Sequence, residues 1–214
     1  QTAVHLSDFM KPKTRAYYEI FVGSEKVAEK VEEDPLYEDR YLPRKFKIAI
    51  AIPPQNDVDV FANDCAVIAV VENGELIGYN IGAGGGMGAT HGNSATYPRV
   101  ASLFGYIAKA DLDKVVYEIA TVQRDYGNRE DRKLARLKYT IDRMGIDAYK
   151  AEVEKRSGVK FEPLKPFEFT QRMDTYGWAK NHKNKWYYTA FVENGRILDD
   201  TDRGVMFQTA FLEI

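Results

Sequence analysis

Cysteine occurs once in this chain of 214 residues, at Cys65. An internal disulfide is therefore impossible, and so is an iron–sulfur cluster held by four thiolates of this chain alone. His5, His91 and His182 are the only histidines, and none sits at the short spacing that zinc sites use. No apolar run approaches the roughly 20 residues needed to span a bilayer. Residues 1–10 lack the basic start and apolar centre of a secretory leader, so a cytoplasmic location is expected, with no membrane partner. Charge of one sign is not in excess: 30 Lys and Arg against 32 Asp and Glu give a net charge of −2. That leaves no global basic field to recruit nucleic acid. Neither a Ser–His–Asp arrangement nor a catalytic carboxylate pair can be read from the spacing. Position 1 is not Met, and residues 211–214 (FLEI) end on an apolar run without a polar tail. Both features lead us to expect a piece of a larger structure.

What is present is the balance of a globular protein, 44% hydrophobic and 29% charged. Residues 16–22 (AYYEIFV) and 46–52 (FKIAIAI) read as strands, the second with clear alternation, and residues 23–40 between them read as a charged loop. Residues 65–71 and 75–81 are two more strands around Asn73-Gly74, the strongest short hairpin signal. A glycine-rich loop follows at 82–93 (IGAGGGMGATHGN covers 81–93). Asp111 is then placed to cap a helix whose apolar face is Leu112, Val115, Val116, Ile119 and Val122. A second helix is expected over about 129–144, with Leu134, Leu137, Ile141 and Met144 in one stripe and Gly145 closing it. Asp147 opens a third, ending near Ser157-Gly158. Residues 186–192 read as a strand, Asn194-Gly195 as a turn and 196–198 as the start of its partner. Strands and helices mix without regular alternation, so the expected class is α+β: a mixed or antiparallel sheet with flanking helices, and a boundary near 172–178.

Three segments could carry chemistry. In the strand at 46–52, Phe46, Ile48, Ile50 and Ile52 share the core face. Lys45, Lys47, Ala49 and Ala51 share the other. Two neighbouring ammonium groups repel, and a bound anion would relieve that; the alanines would leave room for a large flat ligand. A solvated strand face is the plain alternative. In the glycine loop, Gly84-x-Gly86-x-x-Ala89 resembles a dinucleotide fingerprint, but Thr90-His91-Gly92-Asn93 is turn chemistry where a helix should begin. Such a loop can still bring backbone amides close to an anion. The third segment is 123–129 (QRDYGNR) with Arg132, Lys133 and Arg136, where clustered cations suit carboxylates or phosphates, unless Asp125, Glu130 and Asp131 neutralise them. Cys65, at the start of an apolar strand, reads as a buried small hydrophobe.

Several ordered stretches carry a family resemblance: YLPRKFK at 41–47, IPPQNDVDV at 52–60, GGG and HGN within 84–93, TYPR at 96–99, QRDYGNR at 123–129, KAEVEKRSGVKFEP at 150–163 and ENGRILD at 193–199. With these the chain resembles, along nearly its whole length, the siroheme-bearing subunit of bacterial NADPH-type assimilatory sulfite reductases, in the nitrite/sulfite reductase family. The resemblance implies a six-electron reduction of sulfite to sulfide at siroheme coupled to a 4Fe–4S cluster, with electrons from an NADPH-dependent flavoprotein partner. It implies that Lys45 and Lys47 hold sulfite and relay protons, and that Arg44, Gly85, Gly86, His91, Asn93 and Arg136 stand near the cofactor. Arg136 replaces the lysine expected there. By the same resemblance, residues 1–175 form the siroheme- and substrate-facing domain, and 176–214 begin the second half of a ferredoxin-like (parachute) domain. The cluster cysteines and two substrate-binding arginines are expected outside this chain, so the chain alone is expected to hold neither cofactor and not to catalyse. A siroheme nitrite reductase is the nearest alternative; those enzymes tend to carry asparagine in place of the second lysine, so Lys47 argues for sulfite. A non-catalytic anion- or nucleotide-binding module is a further alternative.

Overall fold

The computed structural model describes residues 1–13, 17–31, 34–38, 40–181, 183–192, 195, 197–200 and 205–212. These divide into two compact units, Gln1–Arg172 and Met173–Ile214.

The first unit is built on a four-stranded sheet of β3 (Ile48–Ala51), β4 (Cys65–Glu72), β5 (Glu75–Ala83) and β6 (Ser102–Ala108), in that order. Strand β3 runs parallel to β4, and the other pairs are antiparallel. The turn between β4 and β5 is the Asn73-Gly74 pair, both with positive φ (52° and 81°), as a tight hairpin requires. β4 is buried from Cys65 to Val70 and contributes to two cores. Cys65, Val67 and Ala69 face helices α2 (Leu112–Tyr126), α3 (Leu137–Met144) and α4 (Ile146–Ser157). On the other face Ala66 and Ile68 meet Ala49, Ala51, Val60 and Ala101, closed over by Phe61, Phe167 and Phe169. The alanines of β3 are thus small because a second core packs on them. Ala51 is closed off by it, whereas Ala49 also borders an open cavity along the strand.

Helix α2 buries the expected stripe of Val115, Val116, Ile119 and Val122. Burying each such side chain contributes about 1.5–3 kcal/mol. Asp111 does not cap it with its side chain, because a 3-10 turn over Lys109–Asp111 already leads the chain in. The helix expected over 129–144 breaks into a short 3-10 turn, Arg132–Leu134, and α3. Arg136 between them is extended (φ −71°, ψ 149°).

Several elements were not expected. Helix α1 (Thr2–Phe9) buries Leu6. Strand β2 (Glu25–Val31) pairs antiparallel with β1 (Tyr17–Val22) inside what read as a charged loop. β6 contains Gly105, where a Cβ would lie 2.3 Å from the Glu162 carbonyl. The second unit contains antiparallel β7 (Gly177–Lys180) and β8 (Trp186–Thr189), with Trp178 opposite Tyr188. It also contains β9 (Asp199–Asp200), β10 (Val205–Met206) and the short α5 (Phe207–Leu212), where Asp199 accepts from the Thr209 amide and hydroxyl. β8 ends before residue 192, and Asn194 and Arg196 lie outside the described residues.

Candidate functional site

The segment leading into β3 carries Arg44, Lys45 and Lys47, and its backbone is tied at both ends. Arg129 donates to the carbonyls of Arg40 and Tyr41 at 2.9 and 2.6 Å. At the other end the Lys47 amide donates to Asp64 Oδ2 at 3.0 Å, and the Lys47 carbonyl accepts from the Cys65 amide at 2.9 Å. Pairing with β4 therefore reaches back to Lys47, although β3 itself starts at Ile48. The three cationic residues remain exposed.

Asp64 is the buried counter-charge. Its side chain is 0% exposed, and Oδ1 accepts from Arg136 Nε and Nη2 at 3.0 and 2.9 Å. Burial pushes its carboxyl up from the ordinary range, while Arg136 and the Lys47 amide oppose that. Arg136 makes this contact from the extended position at which the expected helix breaks. Arg136 also lines a cavity of about 550 Å³ together with Arg44, Arg132, Lys133 and Gly88–Thr90. Among the described residues no carboxylate lies within ion-pair distance of Arg44, Arg132 or Lys133. Asp131 also lines the cavity and accepts the Lys133 amide at 2.8 Å. Four cations against two carboxylates leave the cavity positive, and guanidiniums at this density suit carboxylate or phosphate oxygens.

A second cavity of about 900 Å³ runs along β3. Arg44 and Lys45 stand on its wall with Leu42, Phe46, Ile48 and Ile50. Arg44 is common to both cavities. Lys47 lines neither, so the structure brings Arg44 and Lys45 together on one wall and leaves Lys47 beside it.

The glycine loop splits in two. Gly84, Gly85 and Gly86 are buried, and their amides donate to the carbonyls of Asp64, Asn63 and Arg99. A Cβ on Gly85 would lie 2.1 Å from the Phe61 carbonyl, and one on Gly86 would lie 3.1 Å from Arg136 Nη2. These two glycines therefore allow close approach of backbone and of Arg136, and their own amides are already used. No helix follows the loop, which removes the dinucleotide reading. Residues 87–91 are exposed. His91 lines neither cavity. Asn93 is a turn residue: its Oδ1 accepts from the Ala95 amide and its carbonyl from Thr96.

Three supporting residues escaped the sequence reading. One is Asp64. Another is Lys138, 1% exposed, whose Nζ donates to the carbonyls of Gly86 (3.0 Å), Gly88 (2.8 Å) and Tyr97. Burial pulls its pKa below the usual lysine range, and Arg136 adds to that. The third, Arg99, donates to the Gly84 carbonyl at 3.0 Å and to Asp142 at 2.8 Å. The available signal for Lys138 was its place next to Leu137 and three residues before Ile141, on an otherwise apolar helix face.

Cys65 is fully buried and its thiol is pushed up to about 12, first by burial and then by Asp64. No group of three or more His, Cys, Asp or Glu among the described residues could hold a metal ion. The residues of this chain do not fit a 4Fe–4S cluster.

Comparison with known proteins gives this geometry a family. Over 213 residues the chain is 60% identical to the "Sulfite reductase [NADPH] hemoprotein beta-component" of Leptospira biflexa, covering 99% of this chain and 38% of that protein. The protein of the same name from Escherichia coli O7:K1 is 50% identical over 212 residues, covering 99% and 37%. The chain thus spans well under half the length of these relatives. Among solved structures, that of Mycobacterium tuberculosis NirA protein matches with a TM-score of 0.56 and 26% identity, over 71% of this chain and 26% of that one. The family model for the nitrite and sulphite reductase 4Fe-4S domain matches residues 2–161, most of the chain, and the chain belongs to that family.

Proposed function

We propose that this chain is the portion of a sulfite reductase hemoprotein that presents cations to sulfite and to the carboxylates of siroheme. The observation that carries this reading is the cavity of Arg44, Arg132, Lys133 and Arg136, with Arg136 braced from behind by buried Asp64. Siroheme bears eight carboxylates, and guanidinium, ammonium and backbone amide groups are the partners that carboxylates require. Arg44 and Arg136 would hold them. Gly86 lets Arg136 come close, Gly85 lets the loop pack against the Phe61 carbonyl, and exposed His91 and half-buried Asn93 follow on the same loop. When bound, siroheme supplies the electron transfer. Lys45 and Lys47 offset the charge of the sulfite oxygens and deliver protons as sulfur–oxygen bonds break.

Residues 1–175 then form the cofactor- and substrate-facing domain, and 176–214 begin the second half of the parachute domain. The cluster is held by cysteines of the whole protein that are not in this chain. The electron donor is an NADPH-dependent flavoprotein, in keeping with the relatives' printed name. A cytoplasmic location is part of the same proposal; no helix among the described residues is long and apolar enough to cross a membrane.

The test is steady-state kinetics on the whole hemoprotein. Lys47→Ala should lower sulfite turnover by ~10²–10³, the usual loss for one positioned donor, with siroheme absorbance unchanged. Lys47→Asn should reduce the preference for sulfite over nitrite. Wild-type turnover of Lys47→Ala at full siroheme loading would show the lysine to be an ordinary strand cation.

A further inference from the structure

The carbonyls of the glycine loop are held by one buried cation, Lys138. Lys138 is almost wholly buried, and no carboxylate lies within ion-pair distance of it among the described residues. Its ammonium is instead met by three backbone carbonyls, those of Gly86, Gly88 and Tyr97, with the Tyr97 and Tyr139 rings 5.8 and 4.9 Å away. Burying an ammonium without a carboxylate is costly, so this lysine is spent on fixing those carbonyls.

The direction follows from peptide geometry. A trans peptide sets its C=O and N–H on opposite sides. The only cis bond among the described residues is Pro53-Pro54. With the Gly88 carbonyl drawn 2.8 Å from Lys138 Nζ, the amide of Ala89 points the opposite way. Ala89 lies on the wall of the cavity that Arg44, Arg132, Lys133 and Arg136 share. Its amide has no acceptor among the described residues. Were this peptide flipped, a carbonyl oxygen would face the cavity and repel any anion in it.

We infer that Lys138 is a positioning residue that turns the Ala89 amide into the cavity as a fifth donor to a bound carboxylate. This rests on reading the cavity as a siroheme-carboxylate site. Lys138 itself does not touch the ligand; it acts by holding the Gly88–Ala89 peptide in one orientation.

Residue-resolved hydrogen–deuterium exchange on the whole hemoprotein, with and without siroheme, tests it. In the wild type, siroheme should slow exchange of the Ala89 amide at least tenfold. Lys138→Met, which keeps an unbranched apolar stem, should return Ala89 to its siroheme-free rate. It should also speed siroheme loss, followed by absorbance, by about tenfold, the worth of one hydrogen bond to a charged group. A merely structural lysine would change thermal stability without changing the siroheme dependence of Ala89 exchange. If siroheme leaves Ala89 exchange unaltered in the wild type, the inference falls without any variant being needed. If Arg44→Ala and Arg136→Ala both retain full siroheme, the cavity reading falls and takes the inference with it. If those two lose siroheme while Lys138→Met keeps wild-type protection and dissociation, the inference alone is wrong.

Discussion

Two groups of cations flank the connection between α2 and α3, and they differ in what faces them. Arg124 and Arg156 meet three carboxylates. Arg124 pairs with Glu38 at 2.9 Å and Asp125 at 2.7 Å, and Arg156 pairs with Asp125 at 2.6 Å and Glu152 at 2.8 Å. Arg124 also donates to the Leu36 carbonyl. Asp125 raises the pKa of Arg124 through its hydrogen bond, and this group is a closed brace. Arg44, Arg132, Lys133 and Arg136 share only Asp64 and Asp131, and their surplus charge opens on a cavity. Composition alone would class both groups as basic patches. The difference lies in partners: where carboxylates saturate the guanidiniums the cluster holds the fold, and where they do not it can hold an anion.

The largest effect should come where the two roles meet, at Arg136. Arg136→Met removes the charge paired with fully buried Asp64 and should cost about 3 kcal/mol or more in urea denaturation, because a buried carboxylate is left alone. The carboxyl of Asp64, already raised by burial, would rise further. A folded-state pKa above the unfolded value brings a penalty that is absent at low pH and sets in as pH rises through the folded value. The variant should therefore recover stability on acidification, and Asp64→Asn in the same background should restore much of the loss at neutral pH. A loss below 1 kcal/mol, independent of pH, would mean that Arg136 does not compensate Asp64.

Next in size is the closed brace. Asp125→Ala should cost about 2 kcal/mol, between the values for exposed and buried pairs, since Arg124 and Arg156 keep Glu38 and Glu152 as partners. Burial pushes the Asp125 carboxyl up, but the hydrogen bonds from Arg124 and Arg156 outweigh it and hold it below the usual range. Its stabilisation is thus complete above the unfolded value of 3.8 and is lost as pH falls through the folded value. The variant should have a shallower loss of stability in that acid window than the wild type. Equal slopes would show that Asp125 is not what titrates there.

Much of the fold was legible because local patterns and tertiary packing agree. The alternation before β4, the Asn73-Gly74 turn and the α2 stripe all specify what forms. What escaped depends on contacts distant in sequence. β2 is a charged segment that becomes a strand only by pairing with β1. β6 is interrupted by Gly105, which makes sense only once Glu162 crosses it. The site divides in the same way. That Arg44, Lys45 and Lys47 are exposed cations at the head of a strand could be read directly from the chain. That Asp64 holds the Lys47 amide and Arg136, and that Lys138 holds the carbonyls of the glycine loop, could not, since these contacts join residues 17 to 72 positions apart.

The smallest effect on stability should come from the open cluster, and it is the sharpest check of the contrast. Arg132 lies in a 3-10 turn, and among the described residues no carboxylate is within ion-pair distance of it. Replacing an exposed residue without such a feature usually changes stability by no more than about 0.5 kcal/mol. Arg132→Ala should stay within that range. Its sign should be slightly favourable, since it relieves repulsion with Lys133 and Arg136, which line the same cavity. The affinity of the cavity for a polycarboxylate such as citrate should nevertheless fall several-fold, and more steeply at low salt than at high, because an exposed charge is screened within about 10 Å at 0.1 M. Arg124→Ala should behave in the opposite way, destabilising the protein while leaving citrate affinity unchanged. The measurement is urea denaturation and calorimetric citrate titration on the same two variants at two salt concentrations. Should Arg132→Ala lose stability as Arg124→Ala does, with no change in citrate affinity, the open cluster would be a brace like the other, and the distinction between the two groups would fail.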